Sequence, residues 1–319
     1  MLLIYFLNDF PWAYFFCKFE KIDIDSYNLF VENYMKSLPN TVEIANGLFV
    51  DDKSSFNENT LSILEKSYSA GCDVLDFSSP SSVEYINNWC NESTHGMIPG
   101  IVSDLNGYSL VAANALYFKD NWLSQIDDNR VMEDGKFTTI NGDIQTCNMM
   151  LMSEDRYLEN DKAIGFIKPY ANQRYGFVAI LPKEQGLFNF SDLDVDSLMN
   201  SVEYDATVIA SMPEFSFDST LSLTAVLCNL GLSGLFENAY CDSLLDNEIA
   251  IVDEILQKTK VDVNREGTEA SAVTAIMVKN TAFVESKEYV VNLDRPFAFM
   301  IYDFEENIPL FMGKVMNME

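Results

Sequence analysis

Apolar residues recur every three or four positions in three segments of the first third of the chain, the spacing of an amphipathic helix. These segments are residues 27–38, 57–70 and 78–96. In the third, Ser81 or Ser82 is the expected N-cap, because a serine side chain accepts hydrogen bonds from the first turn, and Gly96 is the expected end. A fourth predicted helix, residues 220–232, ends near Gly231.

Other segments have the composition of strands. Residues 42–50 form the first, and residues 108–118 are so uniformly apolar that they indicate a central strand covered on both faces. Strands predominate from residue 136 to residue 216. They return in four closing segments, 260–264, 289–293, 297–304 and 310–316. Helices and strands mix without strict βαβ alternation, so the pattern predicts one large α+β domain with big, partly antiparallel sheets.

One long segment has the composition of a strand but the position of a connection. The twenty-eight residues between Gly267 and Pro296 include neither glycine nor proline, which usually punctuate a surface loop. With period 2, both charges in the first half of this segment fall on one face. The uncharged face is Thr268, Ala270, Ala272, Thr274, Ile276 and Val278, and the other is Glu269, Ser271, Val273, Ala275, Met277 and Lys279. A segment that is first a loop and later a strand satisfies both constraints.

Charge and composition narrow the function. The 319 residues are 48% hydrophobic, and 49 acidic against 20 basic side chains give a net charge of -29. This balance disfavours binding to nucleic acid or to an anionic membrane. The N-terminal residues 1–21 are apolar, but Lys18 follows the apolar run and Asp9 and Pro11 interrupt it. We therefore expect a buried segment or an atypical chain start rather than a signal peptide or a membrane helix.

Residues for catalysis or metal binding are hard to find. The six cysteines show neither CxxC nor Cys/His spacing, and we expect free, mostly buried thiols at Cys17, Cys72, Cys90, Cys147, Cys228 and Cys241. His95 is the single histidine, and no G-x-S-x-G, P-loop or G-x-G-x-x-G motif occurs, so a capping or core-edge histidine is expected. We expect no enzymatic activity, no cofactor and no metal. A carboxylate pair for glycoside chemistry stays open, because the sequence singles out no pair.

The sequence from Gly267 to Ala270, followed by Ser-Ala-Val-Thr-Ala, closely resembles the reactive-loop hinge of the serpin family, whose usual pattern is Glu-Gly-Thr-Glu-Ala and then small residues. Further segments resemble family motifs in the family's order. They are INNWCNESTHGMI (86–98), NALYFKDNW (114–122), KPYANQRYGFVAILP (168–182), MPEFSF (212–217), LGLSGLF (230–236) and DRPFAFMIYDFEENIPLFMGKV (294–315). The resemblance covers about residues 40–319, taken as a single serpin domain, and leaves residues 1–39 as an atypical N-terminal segment.

The resemblance implies a serpin fold, with a large mixed central sheet, surrounding helices and an exposed reactive-centre loop. It also implies inhibition of a serine-type endopeptidase as a suicide substrate: the protease forms an acyl-enzyme with the loop, which then inserts into the sheet. The hinge would be Gly267, Thr268, Glu269, Ala270, Ser271 and Ala272. Counting from the hinge places the scissile bond at Thr281–Ala282, whose small side chains favour an elastase-like target, with Lys279 and Phe283 as the alternative sites.

The chain departs from the family pattern in three places. In the polar cluster that controls sheet opening, here Asn114, Gln257 and Trp122, Gln257 stands where the family often has histidine. Arg265 stands where the family favours glutamate, and residues 1–39 lack the motif of the family's first long helix. Two alternatives therefore stay open: a non-inhibitory serpin that binds or carries a ligand, and an incomplete serpin without the N-terminal helices. We expect a monomer that acts outside the cell, with the cytoplasm as the alternative.

Overall fold

The computed structural model describes residues 24–184, 186, 190, 192–229, 236, 245, 252–268 and 287–318. The chain folds into two compact units. The first contains the described parts of residues 12–118 and 217–260, and the second those of residues 119–216 and 261–319.

The helices and strands are numbered in chain order within the described residues. The helices are α1 (Ile24–Ser37), α2 (Glu58–Tyr68), α3 (Pro80–Ser93), α4 (Val195–Met199) and α5 (Thr224–Leu227), with a short 3-10 helix at Asp128–Arg130. The strands are β1 (Val42–Asp51), β2 (Ala70–Leu75), β3 (Leu110–Phe118), β4 (Asp120–Asn121), β5 (Val131–Thr138), β6 (Ile144–Glu159), β7 (Ala163–Pro169), β8 (Tyr175–Pro182), β9 (Glu203–Pro213), β10 (Phe215–Ser222), β11 (Glu254–Val263), β12 (Gly267–Thr268), β13 (Glu288–Asn292), β14 (Phe297–Asp303) and β15 (Ile308–Val315).

A mixed sheet forms the centre of the first unit. Its order is β2-β1-β3-β11, with β1 parallel to β2, β1 antiparallel to β3, and β3 parallel to β11. Along β3, Val111 and Ala113 point to one side, where they pack with Ile86 of α3. Leu110 points to the opposite side, where it packs with Leu223. The uniformly apolar segment 108–118 is thus a central strand buried on both faces, as its composition predicts.

The second unit contains an eight-stranded sheet. Its order is β13-β9-β6-β7-β8-β14-β15, and β5 pairs with the outer part of β6. All neighbours are antiparallel except β13 and β9. One face is apolar because alternate residues of β7, β8 and β14, such as Ile167, Val178 and Met300, meet Leu198 of α4. The α+β class and the large, mixed sheets expected from the sequence are confirmed.

Two helix predictions need correction. Helix α3 begins at Pro80 with Ser79 as its N-cap, not with Ser81 or Ser82. Proline is well suited to the first helical position, where its missing N–H would have no helical partner. Residues 220–222 belong to strand β10, so the helix predicted for 220–232 starts only at Thr224, and its predicted end near Gly231 lies outside the described residues.

The expectations for cysteines and for His95 can be compared with the described residues. Cys72, Cys90, Cys147 and Cys228 are free thiols, of which Cys90 is buried and the others are partly buried, while Cys17 and Cys241 lie outside the described residues. His95 follows α3 with φ of 52° and places Nε2 2.8 Å from the carboxylate of Glu43, a residue of β1. Among the helices that the structure describes, none is both long and apolar enough to span a bilayer.

Candidate functional site

The start of the predicted reactive loop, residues Asn264–Thr268, lies in the second unit and is called the loop base below. It begins where β11 ends and turns back at once into β12. The Asn264 side-chain oxygen accepts hydrogen bonds from the backbone amides of Glu266 (2.9 Å) and Gly267 (3.3 Å). The backbone amide of Asn264 in turn donates to the Gly267 carbonyl at 3.0 Å. An asparagine that bonds its own backbone two residues on is a common turn former, so the sequence itself closes this turn.

Strand β12 lies between two other strands. Thr268 pairs antiparallel with Val263 of β11 and antiparallel with Asp120 of β4, and Gly267 pairs with Asn121. A side chain at Gly267 would collide with the Asp120 carbonyl oxygen and would lie 2.7 Å from the Asn121 Cα atom. Glycine is therefore required here by the close approach of the backbones. The first two hinge residues are already part of a β-ladder.

The side chain of Thr268 is held by a hydrogen bond to a buried tyrosine. Thr268 is 2% exposed, and its hydroxyl shares a hydrogen bond of 2.7 Å with the hydroxyl of the fully buried Tyr170. Burial raises the pKa of Tyr170 well above its ordinary value, so the phenol stays neutral. The Tyr170 ring stacks on Trp122 at 4.6 Å, and the Trp122 indole donates to the Asn264 carbonyl at 2.8 Å. Trp122 and Tyr170 thus hold both ends of the loop base.

A buried ion pair also lies close to Trp122. The Lys168 ammonium lies 5.3 Å from the Trp122 ring centre, close enough for a cation–π contact. It donates to the Glu154 carboxylate at 2.8 Å and to the Ser124 carbonyl at 2.9 Å, and both charged side chains are almost completely buried. Because a buried charge is tolerated only when it is paired, this pair fixes the positions of the groups around it.

Arg265 joins the loop base to two acidic side chains. Its guanidinium donates to Glu214 at 2.8 and 3.2 Å and to Asp128 at 2.9 Å. Burial would raise the pKa of Glu214, but hydrogen bonds from Arg265 and Asn148 outweigh it, and the pKa is lowered. The bonds to Glu214 and Asp128 in turn raise the pKa of Arg265. The arginine at a position where serpins favour glutamate is thus matched here by a carboxylate partner.

The residues predicted to control sheet opening lie in both units. Asn114 of β3 and Gln257 of β11 are neighbours in the first unit, where they stand opposite each other in the parallel ladder and are both buried. Asn114 donates to the Asn46 side chain at 3.1 Å and to the Ala45 carbonyl at 3.2 Å. Its own side-chain oxygen has no hydrogen-bond partner among the described residues. Trp122 belongs to the second unit, with the loop base.

Several predicted site residues are not described by the structure. Of the hinge, Gly267 and Thr268 are described. The remaining hinge residues and all candidate scissile residues lie outside the described residues: Glu269, Ala270, Ser271, Ala272, Lys279, Thr281, Ala282 and Phe283. Sequence reasoning did not identify Tyr170, Glu214 or Lys168 as part of the site, because nothing in a single sequence shows that they lie beside Thr268, Arg265 and Trp122.

Comparison with known proteins bears on the family and the fold. Residues 18–318 match the family model described as Serpin (serine protease inhibitor). Over 288 residues the chain is 31% identical to an uncharacterized serpin-like protein from Thermococcus kodakarensis, covering 88% of this chain and 67% of that protein. The crystal structure of the thermophilic serpin tengpin in its native state superposes with a TM-score of 0.85 at 31% identity, covering 94% of this chain and 80% of that chain. The TM-score to the latent state of tengpin is 0.75, at 28% identity, covering 94% and 83% of the two chains.

Proposed function

This chain belongs to the serpin family, and on that premise we propose that it inhibits a serine-type endopeptidase by inserting its cleaved reactive loop into a β-sheet. A function of the protease-inhibitor type, rather than an enzymatic one, is general to the family. Loop insertion and the choice of target are specific to this proposal.

The observation that carries the proposal is the position of Thr268. A loop that never enters a sheet has no need for a buried, hydrogen-bonded threonine between two strands. The residues that follow continue the uncharged face of Thr268 with Ala270, Ala272 and Thr274. Burying this face leaves no unpaired charge inside the sheet, which favours insertion. A non-inhibitory carrier would have no such requirement.

The target is proposed to be elastase-like, because Thr281 and Ala282 are small enough for a shallow specificity pocket. Lys279 would suit a trypsin-like enzyme and Phe283 a chymotrypsin-like one. We propose that the inhibitor acts as a monomer outside the cell. Size-exclusion chromatography with light scattering tests the monomer, and fractionation of the native source tests the location.

The decisive experiment mixes the protein with pancreatic elastase, trypsin and chymotrypsin in parallel. We expect a complex with elastase that survives SDS, and a released C-terminal peptide that mass spectrometry shows to begin at Ala282. A peptide beginning at Asn280 or Val284 would instead assign the cut to Lys279 or Phe283. Cleavage by all three enzymes without any stable complex would contradict inhibition and support the carrier alternative.

A further inference from the structure

Four large apolar side chains lie exposed next to one another on one face of the eight-stranded sheet. They are Met132 on β5, Leu151 on β6, Ile209 on β9 and Val290 on β13, with 47%, 42%, 46% and 56% of their surface exposed. The four strands are consecutive neighbours in the sheet. We call these four residues the apolar stripe.

The strand register makes the stripe continuous. Val290 stands directly opposite Ile209. Ile209 pairs with Ser153, two residues from Leu151 on the same face of β6, so Ile209 and Leu151 are diagonal neighbours. Met132 pairs with Met149, again two residues from Leu151. The solvent face of an antiparallel sheet is normally polar, and a contiguous apolar run across four strands is typical of a surface that binds a partner.

The stripe ends at a strand that follows the proposed scissile bond closely in the sequence. Strand β13 starts at Glu288, six positions after Ala282 of the proposed scissile bond. Six residues span at most about 20–22 Å. A protease domain of about 230 residues has a radius of gyration of about 17 Å. The proposed scissile bond is therefore at most about 20–22 Å from the start of β13, a distance comparable to the size of a protease bound there.

The charge of the protein favours a protease, rather than a second copy of this chain, as the partner of the apolar stripe. With a net charge of -29, two copies repel each other strongly. Exposed carboxylates on the strands of the stripe add to that repulsion, namely Glu133, Asp134, Glu203, Asp205 and Glu288. The same carboxylates favour a partner that presents apolar residues surrounded by basic ones.

We propose that the apolar stripe is a second contact surface for the target protease, used together with the reactive loop. This inference rests on the proposed function and adds a surface that the loop sequence does not contain. The contact acts before acylation only, because loop insertion then carries the protease away from β13. It therefore raises the rate of association and leaves unchanged the fraction of encounters that end in inhibition.

The test compares the double variant Ile209→Thr/Val290→Thr with Val74→Thr, using pancreatic elastase. Threonine keeps the β-branched shape that suits a strand while removing apolar surface. Val74 is a matched control, since it is 47% exposed on β2 in the first unit. We expect the second-order rate constant of inhibition to fall about tenfold for the double variant, as for residues central to an interface, and to stay unchanged for Val74→Thr.

Two further readouts separate the possible outcomes. The stoichiometry of inhibition should be equal in all three proteins, and equal rate constants in all three would overturn the proposal. Binding to elastase whose catalytic serine is replaced by alanine should weaken about tenfold in the double variant. If wild-type protein forms no SDS-stable complex, the proposed function is refuted. The binding measurement still tests the apolar stripe in that case, because it does not require inhibition. A wild-type dimer that the double variant dissociates would assign the stripe to self-association instead.

Discussion

On the proposed mechanism, the substitution Thr268→Glu should convert the protein from an inhibitor into a substrate. Thr268 is 2% exposed and stands directly opposite Asp120, which is itself buried. Burial raises the pKa of Asp120, in spite of hydrogen bonds from the Asn172 and Asn121 amides. A second carboxylate at position 268 would be repelled by Asp120. It could reach solvent only if β12 separated from the neighbouring strands.

The size of the effect follows from the two opposing contributions. An uncompensated buried charge costs about 3–5 kcal/mol. Each ladder hydrogen bond of a strand contributes about 0.5–1.5 kcal/mol. A strand as short as β12 offsets a charge of this kind poorly, so the loop base should leave the sheet. Thr268→Arg should do less harm, because Asp120 offers the arginine a partner, and Thr268→Val removes only the hydrogen bond to Tyr170.

Two measurements, the stoichiometry of inhibition and the melting temperature, distinguish the three variants at position 268. Titration against elastase should give a stoichiometry of inhibition well above one for Thr268→Glu, intermediate for Thr268→Arg and near wild type for Thr268→Val. Burial and Asp120 should raise the folded-state pKa of the carboxyl group introduced at position 268 above its unfolded value. The destabilisation caused by that carboxyl group is then absent below the unfolded pKa and grows as the pH rises through the folded pKa. The melting-temperature gap to wild type should therefore be large at pH 8 and close towards pH 4, and Thr268→Arg should show no such closure. Wild-type stoichiometry in Thr268→Glu would refute the role of Thr268 in insertion.

Two other predictions concern the loop and its base. Nicking the loop with elastase should raise the melting temperature, because the inserted strand adds backbone hydrogen bonds and buries its uncharged face; an equal or lower midpoint in the nicked protein contradicts insertion. Arg265→Ala should lower the melting temperature at pH 7, whereas Asp128→Asn, at a side chain that is 89% exposed, should change it little. Hydrogen bonds from Arg265 and Asn148 hold the pKa of Glu214 below 4.5. The difference in melting temperature between Arg265→Ala and wild type should therefore persist down to about pH 5 and shrink as the pH falls through the folded-state pKa of Glu214. A difference independent of pH would exclude an ionic role for the Arg265–Glu214 pair.

The strands could be predicted from local pattern, because they depend on residues close together in sequence. The apolar run 108–118 is a buried central strand, and Gly267 occupies a place where no side chain fits. Pattern was less reliable at surfaces. Within the predicted first helix, Leu29 is 57% exposed, while Val31 and Tyr34 supply the buried side of α1.

The contacts that hold the loop base could not be predicted in this way. Arg265 and Glu214 are separated by 51 residues, Tyr170 and Thr268 by 98, and Arg265 and Asp128 by 137. Each pair meets because different strands of the second unit end near one another. The sequence marked Arg265 as a departure from the family pattern, and only the position of Glu214 shows that this departure has a compensating partner.

On the proposed mechanism, the register of the strands accounts for a requirement that the loop be cut, and not merely bound, before it inserts. Strand β12 is antiparallel to β11, and β11 is parallel to β3 over six residue pairs. A new strand between β3 and β11, antiparallel to both, would exchange one parallel ladder for two antiparallel ones, which favours insertion. Residues Thr268 to Thr281 are fourteen, enough for about 46 Å of strand. Only the five residues 282–286 would then remain to return to Lys287, and they span at most about 17–18 Å. The uncut chain could complete the new strand only by pulling β13 out of its pairing with β9, whereas a cut after the proposed scissile residue Thr281 would free all fourteen residues and leave β13 in place.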